Sequence, residues 1–377
     1  MYDAIVVGGG IVGASTAYHL VRGGAKTLLV DRADPGRASD AGAGILSPET
    51  NTRDPDTWFN LAVEAVEYYP TLNDDLKADQ EHDTGYARCG SLVVAAADDE
   101  REPFEAAQRR IFARQEARGQ PSPQELHTVS SDEAQALFPA LGPVFGAIHN
   151  RRAARVDGRL LQHALLTAAQ QRGLTVQPAS VDALVMEART VTGVVVDGQT
   201  VSAGAVAIAG GAWSETFATQ LGVTIPVAPQ RGQIIHLGLG EVDTSTWPIV
   251  SAFHNHYMVP WADNRVVVGA TRETNSGFQV RATADGVREV LDEALRLAPG
   301  LADGEIVDIR IGLRPYSADT MPVLGDVPGV SRIQLATGHG PTGLTLGPYS
   351  GKLIAEIMLG QTPQTDISAF HVSRFQT

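Results

Sequence analysis

The chain has a single cysteine, Cys89, in 377 residues. No intramolecular disulfide can form, and no cysteine-based metal site can be built. Lysine is almost as scarce, at Lys26, Lys77 and Lys352, while arginine is abundant. The formal net charge of -14 argues against a nucleic-acid partner and against an anionic membrane surface. It does not constrain the sign of charge inside a binding site. No apolar run reaches the length of a transmembrane segment. The apolar N-terminus lacks the charged n-region of a signal peptide and reads as a sheet strand, so a cytoplasmic protein is expected. Repeats and low-complexity linkers are also absent, which points to domains that interleave rather than domains on a tether. With 43% hydrophobic and 19% charged residues, the chain is long enough for two domains and a large core.

What is present begins at the N-terminus. Residues 2–7 read as a buried strand, followed directly by Gly8-Gly9-Gly10-Ile11-Val12-Gly13. An amphipathic run starts at Ala14, and a second apolar strand, residues 27–30, ends on Asp31. This is G-x-G-x-x-G in its required setting of strand, turn, helix, strand and acid. Gly8 permits the turn, Gly10 lets the backbone approach a pyrophosphate, and Gly13 lets helix and strand pack closely. The pyrophosphate would rest on the unpaired N–H groups and positive dipole end of the helix starting near Ile11. Asp31 can accept hydrogen bonds from the ribose of an adenosine half. The fingerprint alone does not separate NAD from FAD.

Further along, residues 32–50 form a loop of small residues suited to close approach of something flat. Helical periodicity covers residues 55–76, 102–118, 130–138 (with Ser130 or Ser131 as N-cap), 158–172 and 284–297. Strand signals fall at 84–95, 176–178, 181–187, 191–196, 205–209, 233–237, 257–260 and 266–269, with Asp197-Gly198 as a hairpin turn. His254-Asn255-His256 reads as strand with both rings on one face. No third ligand accompanies them, so the reading is two polar histidines near a pocket mouth and no metal. A final helix is expected at about 349–359. Just before it, Gly338-His339-Gly340-Pro341-Thr342-Gly343-Leu344 can aim backbone N–H groups at the electron-rich edge of a flavin, which favours FAD.

These motifs together resemble the D-amino-acid oxidase superfamily of flavoproteins, closest to its glycine oxidase and sarcosine oxidase branch. The resemblance runs through Gly8 to Gly13, residues 37–45, Val156-Asp157-Gly158-Arg159, Ala209-Gly210-Gly211-Ala212-Trp213-Ser214, Arg231-Gly232-Gln233, Tyr257-Met258-Val259-Pro260, residues 266–271, 312–315 and 338–348. It implies an α/β protein: a Rossmann-like FAD-binding domain (residues 1–82, 146–222 and 308–377) interleaved with an α+β substrate domain built on a mixed or antiparallel β-sheet (83–145 and 223–307). Non-covalent FAD is the implied cofactor. Gly8, Gly10, Ile11, Val12 and Gly13 would cradle its pyrophosphate, with Asp31 and Arg32 facing the adenosine and Val181 touching the adenine through its backbone. Ala38, Ser39, Ala43, Gly44 and Ile45 would line the phosphate and the flavin ring. Gly211 and Trp213 would border the cofactor, Trp213 as packing. Gly338, His339, Gly340, Pro341, Thr342, Gly343, Leu344 and Thr345 would cover the flavin.

The resemblance also makes Arg314 the carboxylate clamp, next to the cofactor, with Tyr257 hydrogen-bonding the same carboxylate. A guanidinium suits this through its planar fork, although a structural arginine pairing across domains would use the same residue. Ile45, Arg272 and His256 complete the expected substrate site. The implied reaction is oxidative deamination of a D-amino acid, glycine or an N-substituted amino acid. A hydride passes from the α-carbon to flavin N5, and the resulting imine hydrolyses. Two departures from the family stand out. Pro341 replaces an arginine common in the glycine oxidase branch, and Arg272 stands where an apolar residue often faces substrate. Arg272 then either reads a second acidic group or pairs with Glu273 or solvent. The absence of a C-terminal cysteine excludes covalent flavin attachment there, and Lys352 is badly placed to serve oxygen. The acceptor stays open between oxygen and a quinone or other electron carrier, and a homo-oligomer is possible. Competing readings are a 2-hydroxy acid dehydrogenase using His256 or His339 as base, and a non-catalytic FAD-binding assembly protein.

Overall fold

The computed structural model describes residues 1–53 and 55–376; Asp54 and Thr377, which fall within the expected domain boundaries, lie outside the described residues. The chain opens with β1 (Tyr2–Val7), α1 (Ile11–Arg22) and β2 (Thr27–Val30), the unit its pattern specifies. Next come β3 (Ile45–Leu46), the long α2 (Asp56–Asp79), β4 (Ala87–Arg88), β5 (Ser91–Ala95) and α3 (Arg101–Arg118). They are followed by β6 (Leu126–Val129), α4 (Ser131–Leu137), β7 (Gly146–Asn150), β8 (Ala154–Arg155) and α5 (Gly158–Gln171). The middle holds β9 (Thr175–Gln177), β10 (Val181–Glu187), β11 (Thr190–Val196), β12 (Gln199–Ile208) and the short α6 (Ala218–Leu221). The remainder is β13 (Val227–Gly238), β14 (Ile249–Ala252), β15 (Tyr257–Trp261), β16 (Arg265–Gly269), α7 (Ala284–Leu297), β17 (Glu305–Ser317), β18 (Val323–Val327), β19 (Val330–Thr337) and α8 (Gly343–Met358).

Two sheets organise these elements. In the first, β9, β2, β1, β12 and β19 run parallel, with β10, β11 and β18 added antiparallel. Strand alternation gives each face its own core. Ala4 and Val6 of β1 face α1, α2, α5 and α8, while Ile5 and Val7 face the apolar side of the β10–β12 meander. The second sheet runs β17-β13-β16-β15-β14-β5-β7-β6, antiparallel except for the β14–β5 pair, and α7 packs on it through Val290, Ala294 and Leu297. A small sheet, β3-β8-β4, stitches the two together. The α/β class with an interleaved second domain holds. The strands at 146–150 and 305–317, however, pair into the second sheet, beyond the boundaries drawn at 146 and 308. Those pairings join residues far apart in sequence, which local pattern does not report.

Local signals explain most element ends. Ser130 accepts from the Glu133 N–H at 3.2 Å while the Glu133 carboxylate accepts from the Ser130 N–H at 2.8 Å, a capping box that starts α4. Asp197 and Gly198 both take positive φ, as a two-residue hairpin requires. Two expectations need correction. His254 and Asn255 form the tip of the β14–β15 hairpin, with φ of 62° and 65°, and are not on a strand. The last helix starts at Gly343, well ahead of the expected 349, and runs through Pro348. Pro348 has no N–H for the carbonyl of Leu344, and the Tyr69 hydroxyl donates to that carbonyl instead. A proline that would end an isolated helix is thus tolerated by a residue from α2.

Four histidines are held uncharged by the fold. Burial pushes His19 down to about 3 and His339 to about 4, and burial aided by nearby positive groups takes His236 to about 3 and His149 to about 4. Each folded value lies below the unfolded value of about 6.5, so on acidification the unfolded chain takes up protons first. Stability from these groups is intact above about pH 6.5 and is lost as pH falls toward about 4. The melting temperature should therefore drop steadily between about pH 7 and about pH 5, and a level profile over that interval would contradict this account.

Candidate active site

One elongated cavity runs between the two sheets, and most of the expected site residues line it. At one end β1 delivers the glycine turn. Gly13 is the tightest point there: a Cβ would lie 1.9 Å from the Gly8 carbonyl oxygen, so only glycine lets α1 sit on the turn. Gly13 itself does not line the cavity, whereas Gly8, Gly10, Ile11 and Val12 do. The Ile11 N–H donates to Ser39 Oγ at 2.9 Å, which ties the start of α1 to the small-residue loop. Asp31 ends β2 on the cavity wall with its carboxylate already in use. One oxygen accepts from the Gly9 N–H, the other from the Ala33 N–H at 2.6 Å and Arg37 Nη1 at 3.2 Å. Arg32 reaches over the Trp213 ring at 5.9 Å, and Val181 lines the same end.

The middle of the cavity is lined with small residues. Ala38, Ser39, Ala43, Gly44 and Ile45 all face it. Gly44 has φ of +78°, and a Cβ there would lie 1.8 Å from the Val156 carbonyl oxygen, so the loop is pressed against the residue that follows β8. Opposite, the turn before α8 supplies His339, Gly340 and Pro341, and the first turn of α8 supplies Gly343, Leu344 and Thr345. Gly338 and Thr342 stand behind this wall, where Thr342 Oγ1 donates to the His339 carbonyl at 2.8 Å. Thr345 Oγ1 donates to the Ile45 carbonyl at 3.0 Å and fastens α8 to the loop. His339 is buried against Ser350 Oγ at 3.1 Å and is neutral at physiological pH. A glycine turn with a helix N-terminus at one end, small side chains in the middle and a second helix N-terminus beyond them fit a flavin dinucleotide.

The other end is cationic. Arg314 projects from β17, with Nη1 donating to the Thr271 carbonyl at 2.9 Å. Its guanidinium fills the space beside Gly232, where a Cβ would come within 2.4 Å of it. Tyr257, on β15, hydrogen-bonds Arg314; burial raises the phenol and Arg314 opposes the rise, so the hydroxyl keeps its proton. Arg272 lines the cavity next to both. Its expected alternative partner, Glu273, is taken: it accepts from Arg231 Nε at 3.0 Å, Gln233 Nε2 at 2.7 Å and Thr271 Oγ1 at 2.9 Å. Burial would raise that carboxyl, but these donors hold it below the usual range. Among the described residues Arg272 and Arg314 have no carboxylate within ion-pair distance.

His256 does not reach the cavity. It is buried with Nδ1 on the His254 carbonyl at 2.7 Å and Nε2 3.9 Å from Glu289, while Asn255 at the hairpin tip lines the cavity in its place. Reading H-N-H as strand alternation hid this; asparagine's tolerance of positive φ was the available signal. Gly232 and Gly312 were also missed as lining residues. Cys89 and Lys352 lie off the cavity, Lys352 bonded to Glu356 over the Tyr68 and Tyr349 rings. Among the described residues no cluster is placed to hold a metal ion, and no helix is long and apolar enough to cross a membrane.

A strap, residues 274–283, crosses from the second sheet to the first. Both its feet are held by Gln233, through Glu273 and through the Thr283 N–H at 2.9 Å, and the Gln279 carbonyl accepts from Arg231 at 3.3 Å. At its crest Phe278 stacks on Trp213 with ring centroids 5.2 Å apart, and Val280 packs on Gly36.

Comparison with known proteins agrees with this geometry. Residues 3–357 match the family model of FAD dependent oxidoreductases. Among curated relatives, the oxidoreductase YurR of Bacillus subtilis is 38% identical over 98% of each chain, and the glycine oxidase of Pseudomonas aeruginosa is 32% identical over 96% of each. Among solved structures, the iminodiacetate oxidase of Chelativorans sp. BNC1 superposes with a TM-score of 0.92 at 38% identity over 98% of each chain. The glycine oxidase of Geobacillus kaustophilus gives 0.88 at 26% identity, over 99% of this chain and 98% of the other.

Because the strap rests on a wall of the cofactor cavity, Phe278→Ala should speed FAD release on the order of 10-fold, the scale of a lost aromatic contact. Recovery of free-flavin fluorescence after dilution measures the rate. A rate equal to that of the unaltered protein would show that the strap does not retain cofactor.

Proposed function

The chain belongs to the FAD-dependent oxidoreductase family, and we propose that its substrate is a small amino acid with a second carboxylate, oxidised at the carbon next to nitrogen. The observation that carries this reading is the pair of guanidinium groups, Arg314 and Arg272, both facing one cavity end without carboxylate partners. Arg314 is half-buried and Arg272 is exposed beside it; a half-buried cation without a partner is costly unless an anion completes it, and the second charge strengthens the pull on that anion. The iminodiacetate oxidase relative, named for a dicarboxylate amine, supports the choice. Arg314 offers a planar fork to one carboxylate, and Tyr257 donates its hydroxyl to the same group. Arg272 takes the second carboxylate. Anchoring at two points fixes which C–H bond faces the middle of the cavity.

FAD, when bound, supplies the two-electron acceptor for the hydride leaving that carbon. The substrate nitrogen must first be neutral. Two nearby guanidiniums disfavour an ammonium, so the site selects the neutral amine without a dedicated base. Water then hydrolyses the imine to an oxo acid and an amine. A hydroxy acid would instead need a base at the carbinol. His256 points away and His339, held near 4, is a poor base at neutral pH, which speaks against that reading. The clamp of Arg314 and Tyr257 speaks against a purely structural FAD protein. The naming of relatives as oxidases supports oxygen as acceptor over a quinone.

Anaerobic bleaching of the flavin band by iminodiacetate, glycine, sarcosine and D-amino acids tests the reading. Arg272→Ala should cost iminodiacetate about 10- to 100-fold in kcat/KM, the equivalent of ~1.5–3 kcal/mol for a lost charged hydrogen bond, and cost glycine little. Equal losses for both would remove Arg272 from specificity. Gly232→Ala, which pushes the Arg314 guanidinium aside, should raise KM for every carboxylate tested while FAD content stays full.

A further inference from the structure

The dinucleotide end of the cavity holds an arginine for which the glycine fingerprint has no use. Arg37 sits on the loop after β2, and its backbone is fixed. The Gly36 carbonyl accepts from the Leu313 N–H of β17 at 2.8 Å, and the Arg37 carbonyl accepts from the Asp40 N–H at 3.0 Å, closing the short turn Ala38–Asp40. From this anchor the side chain lines the cavity and reaches the end of β2, where Nη1 donates to the Asp31 carboxylate at 3.2 Å. That is the one side-chain hydrogen bond Arg37 makes among the described residues. Its Nε is buried and makes none, standing 3.6 Å from the Asp40 carboxylate. A guanidinium has five N–H groups, and a buried donor without an acceptor is costly.

The charged residues lining this end are Asp31, Arg32, Asp34 and Arg37. Arg32 is matched by Asp34 at 2.5 Å, which leaves Arg37 as the cation beside Asp31. The Asp31 carboxylate suits a ribose, but it also accepts from the Gly9 N–H, inside the turn that must hold a pyrophosphate. A fixed negative charge there repels the phosphates that the start of α1 attracts. The loop that carries Arg37 meets that same helix start, since Ser39 accepts from the Ile11 N–H at 2.9 Å. We propose that Arg37 is a cofactor-binding residue that neutralises Asp31 through Nη1 and gives its unspent donors to the FAD pyrophosphate. The acid that reads the ribose then no longer expels the phosphates. This holds whichever amine the enzyme oxidises. An Arg37 that merely braced the loop would act on FAD only through Asp31.

The test is a double-mutant cycle on cofactor affinity, read from the flavin fluorescence that appears as the full-length holoenzyme is diluted. Circular dichroism of each variant gives the folded fraction to which the Kd is referred. Arg37→Gln should raise the Kd for FAD by about 10- to 100-fold, the equivalent of ~1.5–3 kcal/mol for a lost charged hydrogen bond. In the Asp31→Asn background, where no carboxylate needs neutralising, Arg37→Gln should still raise it on the order of 10-fold. Arg37→Lys keeps a point charge for phosphate and should recover most of the affinity. If Arg37→Gln costs nothing further in the Asp31→Asn background, Arg37 works only through Asp31 and the proposal is wrong. It is equally wrong if Arg37→Gln leaves the Kd at the parent value, or if Arg37→Lys binds FAD no better than Arg37→Gln.

Discussion

The Glu273 carboxylate is the hinge on which the cationic site turns. It is the acid adjacent to Arg272 and the one whose charge also reaches Arg314, yet it is committed to Arg231, Gln233 and Thr271. Arg231 is almost wholly buried on β13, so without Glu273 it would be a charge in the interior with no counter-ion. The fold thus satisfies its structural arginine first and leaves the two cavity arginines without one. The same cluster also does architectural work. Through Gln233 it reaches Thr283, whose hydroxyl caps α7 by accepting from the Gly286 N–H at 3.1 Å. One carboxylate therefore links strand pairing, a helix start, the strap and the availability of positive charge for a ligand.

A second constraint brings two helix N-termini to one cavity. Helices α1 and α8 pack together because α8 presents Gly347 and Gly351; a Cβ on Gly351 would lie 2.7 Å from the Val12 carbonyl oxygen. Ser15 then donates to the Pro348 carbonyl at 2.7 Å, so the contact is polar as well as close. The positive ends of both helices face the space between the sheets, one suited to phosphates and the other to an electron-rich ring edge. Neither helix could be drawn so near with ordinary side chains at those two positions.

How much of this was legible in the sequence depends on the range of the interaction concerned. The N-terminal unit was readable because strand, turn, helix and acid are contiguous, and each residue type has one local reason to be there. The capping box at Ser130 and the Asp197-Gly198 turn were readable for the same reason. Arg314 and Tyr257 became site residues through family resemblance, since nothing local marks an arginine in a strand as a ligand clamp. The fate of Arg272 was not readable: it hangs on which of several donors wins Glu273, and Arg231 lies 42 positions away. The start of α8 was misplaced because a proline inside a helix counts against it locally, and the hydroxyl that rescues it belongs to Tyr69. Strands β7 and most of β17 pair into the second sheet although the expected boundaries at 146 and 308 group them with the first domain, because pairing partners, unlike strand propensity, carry no local trace.

In the function proposed above, the charges that select the substrate also account for how the cavity manages with so few proton-transfer groups. A guanidinium cannot act as a base at physiological pH, and the histidine in the wall is held neutral with a poor affinity for protons. In water, an amino acid spends most of its time as an ammonium. Placed beside Arg314 and Arg272, that ammonium is disfavoured, whereas its carboxylates are attracted. On the proposed reading, one arrangement of charge drives both binding and proton loss, and no residue has to cycle between protonation states during turnover. The arrangement has a thermodynamic cost, because clustered cations repel one another in the free protein. That cost is offset on binding only by a ligand with matching negative charge, which makes the unstable feature of the empty site the source of its preference.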